Sequence, residues 1–204
     1  MKTITLIFSV FIILSAKKVT AQKIFNQKDS NATWQYIYPF GGKSYTLAIQ
    51  SYKEGYKKEL AGTGLNSTIY FGKNNGTKDQ IFWKELAFIQ YSEKPKYVDF
   101  NNDGIKDLLV FSGTGARGIN EFYYLYLIEK KSHKLIKVKG FEKITNPEYN
   151  EKYKVIVGTG YAGKVNYSIY KIDKNNTIYE AAPSFEESKE TTLDEQLDLI
   201  MKKQ

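Results

Sequence analysis

Tyr97-Val98-Asp99-Phe100-Asn101-Asn102-Asp103-Gly104-Ile105-Lys106-Asp107-Leu108-Leu109-Val110-Phe111 sets two β-like runs on either side of a loop of oxygen donors. The flanks, Lys96 to Phe100 and Leu108 to Ser112, are rich in Tyr, Val, Leu and Phe, the residues that fit a pleated, half-buried surface. Between them Asp99, Asn101, Asp103 and Asp107 occupy positions 1, 3, 5 and 9 of a loop, and Gly104 stands at position 6. Calcium takes six to eight oxygens, and alternate side chains of a tightly curled loop converge on one centre. The glycine permits the sharp turn, and the carbonyl of Ile105 at position 7 is available as a backbone ligand. An EF-hand would continue to a bidentate Glu at position 12, where this chain has Val110. The expectation is therefore a β-flanked calcium loop with Asp99, Asn101, Asp103, Ile105 and Asp107 as ligands. The alternative is an Asp-Gly turn held by side-chain hydrogen bonds without metal. Three carboxylates brought together without a cation would repel one another.

Outward from that loop the chain reads as a succession of short strands. Trp34–Tyr38, Ser44–Ser51, Thr68–Phe71 and Gln80–Tyr91 precede it. Glu121–Glu129, Leu135–Val138, Lys152–Val157, Val165–Ile172 and Thr177–Glu180 follow. Asn74-Asn75-Gly76 is a hairpin turn signal. Thr192-Leu193-Asp194-Glu195 is a capping box, and Leu193, Leu197 and Ile200 follow at helical spacing, which predicts one C-terminal amphipathic helix docked on the sheet. The fold class is all-β, a propeller-like array of antiparallel hairpins with that helix at its end. A weak repeat supports it. Gly-Thr-Gly occurs at residues 62–64, 113–115 and 158–160, with Asn66, Asn120 or Asn166 soon after each, at roughly the period of propeller blades.

Met1 to Ala21 has a short basic start, an apolar run from Ile4 to Ala16 and Val19-Thr20-Ala21 before Gln22, the pattern of a cleaved secretory signal peptide. No cysteine is present, so neither a lipid anchor nor a disulfide is available. The expected division is a signal peptide at 1–21, a flexible polar leader at 22–33 and one β domain at 34–204. The expected location is periplasmic or secreted, with no membrane anchor after cleavage. Loss of Lys2, Lys17 and Lys18 takes the formal charge from +8 to +5. The remaining charge is spread in ones and twos with no dense basic stripe, which speaks against nucleic acid as a partner. It suits an anionic cell wall or an acidic protein.

Thirty residues are Lys or Arg, yet the only arginine is Arg117, and the only histidine is His133. Arg117 lies in Gly113-Thr114-Gly115-Ala116-Arg117-Gly118-Ile119-Asn120, where Gly113, Gly115 and Gly118 permit positive φ and close approach to a partner. This predicts a partner-binding loop made of Gly113, Thr114, Gly115, Ala116, Arg117, Gly118 and Asn120. The alternative is a tight connection in which Arg117 covers an aromatic face or pairs with Glu121. His133, in the turn Lys130–His133, reads as a solvated side chain. Without cysteine, and with one histidine that has no Asp near it in the sequence, thiol nucleophiles, serine triads and multi-histidine zinc sites have no basis here. Asp and Glu are plentiful, but no glycosidase-type pair stands out. The expectation is a protein that is not an enzyme.

From Tyr97 to about Ile172 the chain resembles a family of secreted bacterial β proteins. The residues that carry the likeness are the calcium loop, the Gly113–Asn120 loop, the Tyr-rich strand Phe122–Ile128 and Asn146-Pro147-Glu148-Tyr149. Some members of that family are periplasmic immunity proteins that inhibit peptidoglycan hydrolases delivered by rival bacteria. They are incomplete β-propellers with one calcium site, and they are similar to periplasmic lysozyme inhibitors. The calcium loop alone also resembles that of integrin-type FG-GAP repeats. The resemblance implies Ca²⁺ as cofactor and a peptidoglycan hydrolase as partner, with Arg117 as a planar fork for a catalytic carboxylate. A glycan-binding or surface-adhesion module, taking cell-wall glycan on Tyr and Trp faces, is the second expectation. A plain structural envelope protein is the third.

Overall fold

The computed structural model describes residues 25, 28–53, 60–76 and 78–202. The signal-peptide segment lies outside them. They form three four-stranded antiparallel sheets, each a meander in chain order. The first holds β1 (Ala32–Ile37), β2 (Tyr45–Tyr52), β3 (Ser67–Asn74) and β4 (Asp79–Ala87). The second holds β5 (Lys96–Val98), β6 (Asp107–Gly115), β7 (Asn120–Glu129) and β8 (Lys134–Lys137). The third holds β9 (Pro147–Asn150), β10 (Val155–Tyr161), β11 (Val165–Ile172) and β12 (Ile178–Glu186). One helix, α1 (Leu193–Met201), closes the chain. The protein is all-β with a C-terminal helix, its sheets follow one another like propeller blades, and no sheet is closed.

The second sheet is the middle layer, and its sequence has the character that position demands. A strand buried on both faces reads as a continuous apolar run rather than an alternation. In β6, Leu108 and Val110 pack toward the first sheet, with Ile49, Ile69 and Phe71. Leu109 and Phe111 point the other way, into a cluster with Val138, Phe141, Ile144 and Ile156 that joins the third sheet. β7 divides likewise, Tyr124, Tyr126 and Ile128 on one face and Tyr123, Leu125 and Leu127 on the other. Burying one such side chain is worth about 1.5–3 kcal/mol, so β6 and β7 carry the largest share of the hydrophobic stabilisation.

The third sheet turns its outer face to α1, where Val155, Val157, Ile169 and Ala182 meet Leu193, Leu197 and Ile200. Thr192 Oγ1 accepts from the Glu195 amide and Glu195 returns a bond to the Thr192 amide, so the capping box forms as its sequence predicts. The Asn74–Gly76 turn also forms, with Gly76 at φ 90° and Asn74 Oδ1 accepting its amide.

Three expectations change. The leader of residues 22–33 is tied down where it is described: Phe25 is buried, its amide donates to Asp79 Oδ2 at 2.8 Å, and Ala32 and Thr33 already belong to β1. β9 is a strand the sequence did not reveal, and Lys152–Lys154 is the turn that leads out of it rather than the start of β10. His133, in left-handed backbone at φ 50°, is half-buried. Its ring stacks on Tyr45 at 4.4 Å and meets Phe40 edge-on, so it joins the β7–β8 turn to the first sheet instead of standing in solvent.

The Gly-Thr-Gly repeat resolves unevenly. Residues 113–115 and 158–160 end the second strands of their sheets, but 62–64 lie in the β2–β3 connection. The asparagines keep the better register, because Asn66, Asn120 and Asn166 all fall at the head of a third strand. Among the described residues no helix is long and apolar enough to cross a membrane.

Candidate functional site

The loop between β5 and β6 is wound by its own side chains. Asp99 Oδ2 accepts the Gly104 amide at 2.8 Å and Oδ1 the Asp103 amide at 3.3 Å. Asn101 Oδ1 also accepts from Asp103, and Asp103 Oδ1 accepts from Ile105 at 2.7 Å. Asn102 at φ 58° and Gly104 at φ 80° supply the left-handed turns that let alternate side chains point inward. A carboxylate oxygen has two lone pairs, so one amide on each leaves a second for a cation. The donors of Asp99, Asn101, Asp103 and the Ile105 carbonyl are all hard oxygens, the type that a calcium ion takes. Among the described residues, however, no three His, Cys, Asp or Glu side chains gather closely enough to hold a metal by themselves. Asn101 Nδ2 donates to Asp103 Oδ2 at 3.0 Å.

Asp107 is a structural tie in its own right. It is fully buried, and its two oxygens accept the amides of Phe100 at 3.0 Å and Ile128 at 3.1 Å. One carboxylate thus ties the loop's entry to the C-terminal end of β7. Burial pushes its pKa from 3.8 up to about 6, the two amides pull against that, and the charges of Asp103 and Asp99 add to the rise. Because the folded pKa lies above the unfolded one, the folded state holds this proton longer. The stability from this group is fully present below about pH 4 and is lost as pH rises through about 6, on the order of 3 kcal/mol in all. Chemical melts in chelator from pH 3.5 to 7 test this. Wild type should lose stability relative to Asp107→Asn as pH rises, and a pH-independent difference would contradict it.

At the far end of β6, roughly 26 Å away at about 3.3 Å per residue, Gly115 pairs with Asn120 to close a four-residue hairpin tip. The tip is Ala116, Arg117, Gly118 and Ile119. Ala116 (φ 46°) and Arg117 (φ 59°) are both left-handed, a conformation that costs a residue with a Cβ roughly 1–2 kcal/mol. Of the three glycines expected to supply positive φ, only Gly118 does so, at φ 93°. Gly113 instead sits where space is tight, since a Cβ there would come within 3.1 Å of the Phe88 and Gln90 side chains. Gly115 is in extended backbone, facing Phe122.

Three amide side chains fix the base of this tip. Gln90 Oε1 accepts the Thr114 amide at 2.7 Å. Asn120, expected to contact a partner, is bound on both sides by the backbone of Tyr161. Asn146, with φ 41°, donates to the carbonyls of Ile119 and Thr159 and accepts from the Glu121 amide. Asn146 and Gln90 were not foreseen, because long-range amide clamps leave no local pattern. The calcium-type loop does not hold the tip directly; these amides do.

Arg117 is exposed, and among the described residues the cation–ring contacts are all made by lysines. Glu121, its expected alternative partner, pairs with Lys96 at 3.2 Å and hydrogen-bonds Tyr123. Among the described residues every ion pair uses a lysine, and none uses Arg117. Beside it Ile119 is 55% exposed, and Tyr161, held through Asn120, is 40% exposed. An arginine on the braced tip and a tyrosine at the neighbouring end of β10 are residue types that anchor protein interfaces. Comparison with family models, with curated protein sequences and with solved structures finds no match to this chain.

Proposed function

We propose that this is a secreted or periplasmic, calcium-stabilised β protein that binds and inhibits a peptidoglycan hydrolase through the Ala116–Ile119 tip, as immunity and lysozyme-inhibitor-type proteins do. The observation that carries the reading is the tip itself. Ala116 and Arg117 are held in costly left-handed backbone, and the chain's only arginine is presented free of ion pairs among the described residues. Local strain of this kind persists only where the surroundings over-determine it, and it gathers at functional sites. A guanidinium suits a cleft with catalytic carboxylates, because its planar fork takes a carboxylate through two hydrogen bonds. A tip braced in advance loses little freedom on binding. The resemblance in the sequence supplies the class of target, and capture of purified muramidases and amidases on the immobilised protein tests it. The proposal fails if none of the panel is retained.

Calcium belongs to the same proposal, with Asp99, Asn101, Asp103 and the Ile105 carbonyl as ligands and Asp107 as the fifth. Its contribution is electrostatic, neutralising the carboxylates that raise the Asp107 pKa. Ligands on one preformed loop bind only the folded state, so stability should rise by about 2.7 kcal/mol at a hundredfold excess of calcium over its Kd. Asp103→Ala should abolish that gain. Coincident melts in calcium and in chelator would remove calcium from the account.

A further inference from the structure

Helix α1 is attached to the sheets in a different way from the strands. The last backbone bond on the way to it runs from the Glu187 amide to the Val165 carbonyl, at 3.0 Å. From Ser188 to Met201, among the described residues, one polar bond reaches the rest of the fold: Lys152 Nζ meets Asp198 Oδ1 at 2.7 Å. The two side chains are 56% and 33% exposed, so solvent screens the pair. Everything else that holds the helix is apolar contact, with Leu193, Leu197, Ile200 and Met201 in one cluster with Val155, Val157, Ile169 and Ala182.

The seat is imperfectly made. Tyr153 packs in the same cluster, and its hydroxyl is buried without a hydrogen-bond partner. Gln196 Oε1, on the helix itself, is buried and unpaired in the same way, while its Nε2 is spent on Thr191. A buried polar atom without a partner regains its hydrogen bonds in water, so both atoms favour release of the helix. The connection from Glu187 to Thr192 and the first turn of α1 border, with Tyr167, a cleft of about 310 Å³, so this stretch is not packed down on β11. The helix has 9 residues, and one shorter than about 12–15 is marginal in water by itself.

We propose that α1 is a releasable cap. It comes away from the third sheet as a unit, hinged after Glu187, while the three sheets stay folded. The sheets are held by strand ladders and by the amide clamps of Gln90, Asn120 and Asn146, none of which involves residues 188–201. Elements with few polar ties open locally, below the free energy of global unfolding. Release brings the apolar face of Val155, Val157, Ile169 and Ala182 to the surface. The device uses neither Arg117 nor calcium, so it does not rest on the hydrolase reading.

Native-state hydrogen exchange on the intact protein tests it. After correction for intrinsic rates, the amides of Leu197 to Met201 should exchange at least about a hundredfold faster than those in the middle of β6 and β7. Tyr153→Phe removes the unpaired hydroxyl and keeps the ring, and should slow exchange in α1 at least about threefold. Ile128→Val, in the core between the first and second sheets, lowers global stability. It should speed exchange in β6 and β7 at least about twofold and leave α1 unchanged, because the helix opens without the sheets coming apart. Ile49→Val makes the same comparison if Ile128→Val does not fold. The proposal is overturned if α1 is as protected as β6 and β7, if Ile128→Val speeds both by the same factor, or if Tyr153→Phe leaves exchange in α1 unchanged.

Discussion

Asp107→Ala should destabilise the protein by about 3 kcal/mol or more at about pH 4, and should do so in chelator as well as in calcium. The carboxylate accepts the amides of Phe100 and Ile128 at a position with no access to water. Each buried donor left without an acceptor costs about 1–3 kcal/mol. Set against this is the relief of removing a carboxyl whose pKa burial has raised to about 6. That relief shrinks near pH 5, where much of the group is already protonated, so the loss should be greatest under mildly acid conditions. For a chain of this size, 1 kcal/mol shifts Tm by about 2–4 °C, which places the expected drop at roughly 6–12 °C. Asp107→Asn keeps one acceptor but turns an NH₂ toward the other amide, and should fall between wild type and Ala. Thermal melts in chelator separate strut from ligand. A loss seen only when calcium is present would mean that Asp107 acts through the metal and not through β7.

Arg117→Ala should weaken capture of the target hydrolase by on the order of 2 kcal/mol or more, as removal of a desolvated interface arginine does. Arg117→Lys should restore only part of it, because an ammonium is a point charge and cannot span a carboxylate as the guanidinium fork does. The same substitutions should leave Tm and its calcium dependence nearly unchanged. Arg117 forms no ion pair among the described residues, and β6 separates it from the loop at Asp99–Asp107. Arg117→Gly should raise stability slightly, since glycine adopts φ 59° without the Cβ penalty. It would then bind more weakly while folding better, a combination that a purely structural residue does not give. A fall in Tm with capture intact would make Arg117 a structural cover.

The sequence revealed strands best where burial is two-sided or alternation is clean. β7 was legible to within one residue, because Phe122 to Ile128 serves both faces of the middle sheet. β11 was legible in full from Val165 to Ile172. β12 was read too short. Ala181-Ala182-Pro183-Ser184 carries no β signal of its own, yet a sheet edge tolerates the proline, and β12 is such an edge. β9 was missed for a similar reason, being a four-residue edge strand that begins at Pro147. At the site, the loop from Asp99 to Asp107 and the tip at Arg117 were visible because their chemistry is local. What fixes them was not. The bond from Asp107 to Ile128 spans 21 residues, that from Gln90 to Thr114 spans 24 and that from Asn120 to Tyr161 spans 41. Contacts at such separations are set by how the sheets stack, and no short motif encodes them.

Inhibition through the tip is tested most directly by the rate at which a captured hydrolase digests isolated peptidoglycan. With calcium present and the protein at or above the enzyme's concentration, the loss of wall turbidity should slow in proportion to the fraction of enzyme bound. Arg117→Ala at the same concentration should restore the uninhibited rate. Digestion that proceeds unchanged with wild-type protein bound, or that is slowed equally by wild type and Arg117→Ala, would contradict the account.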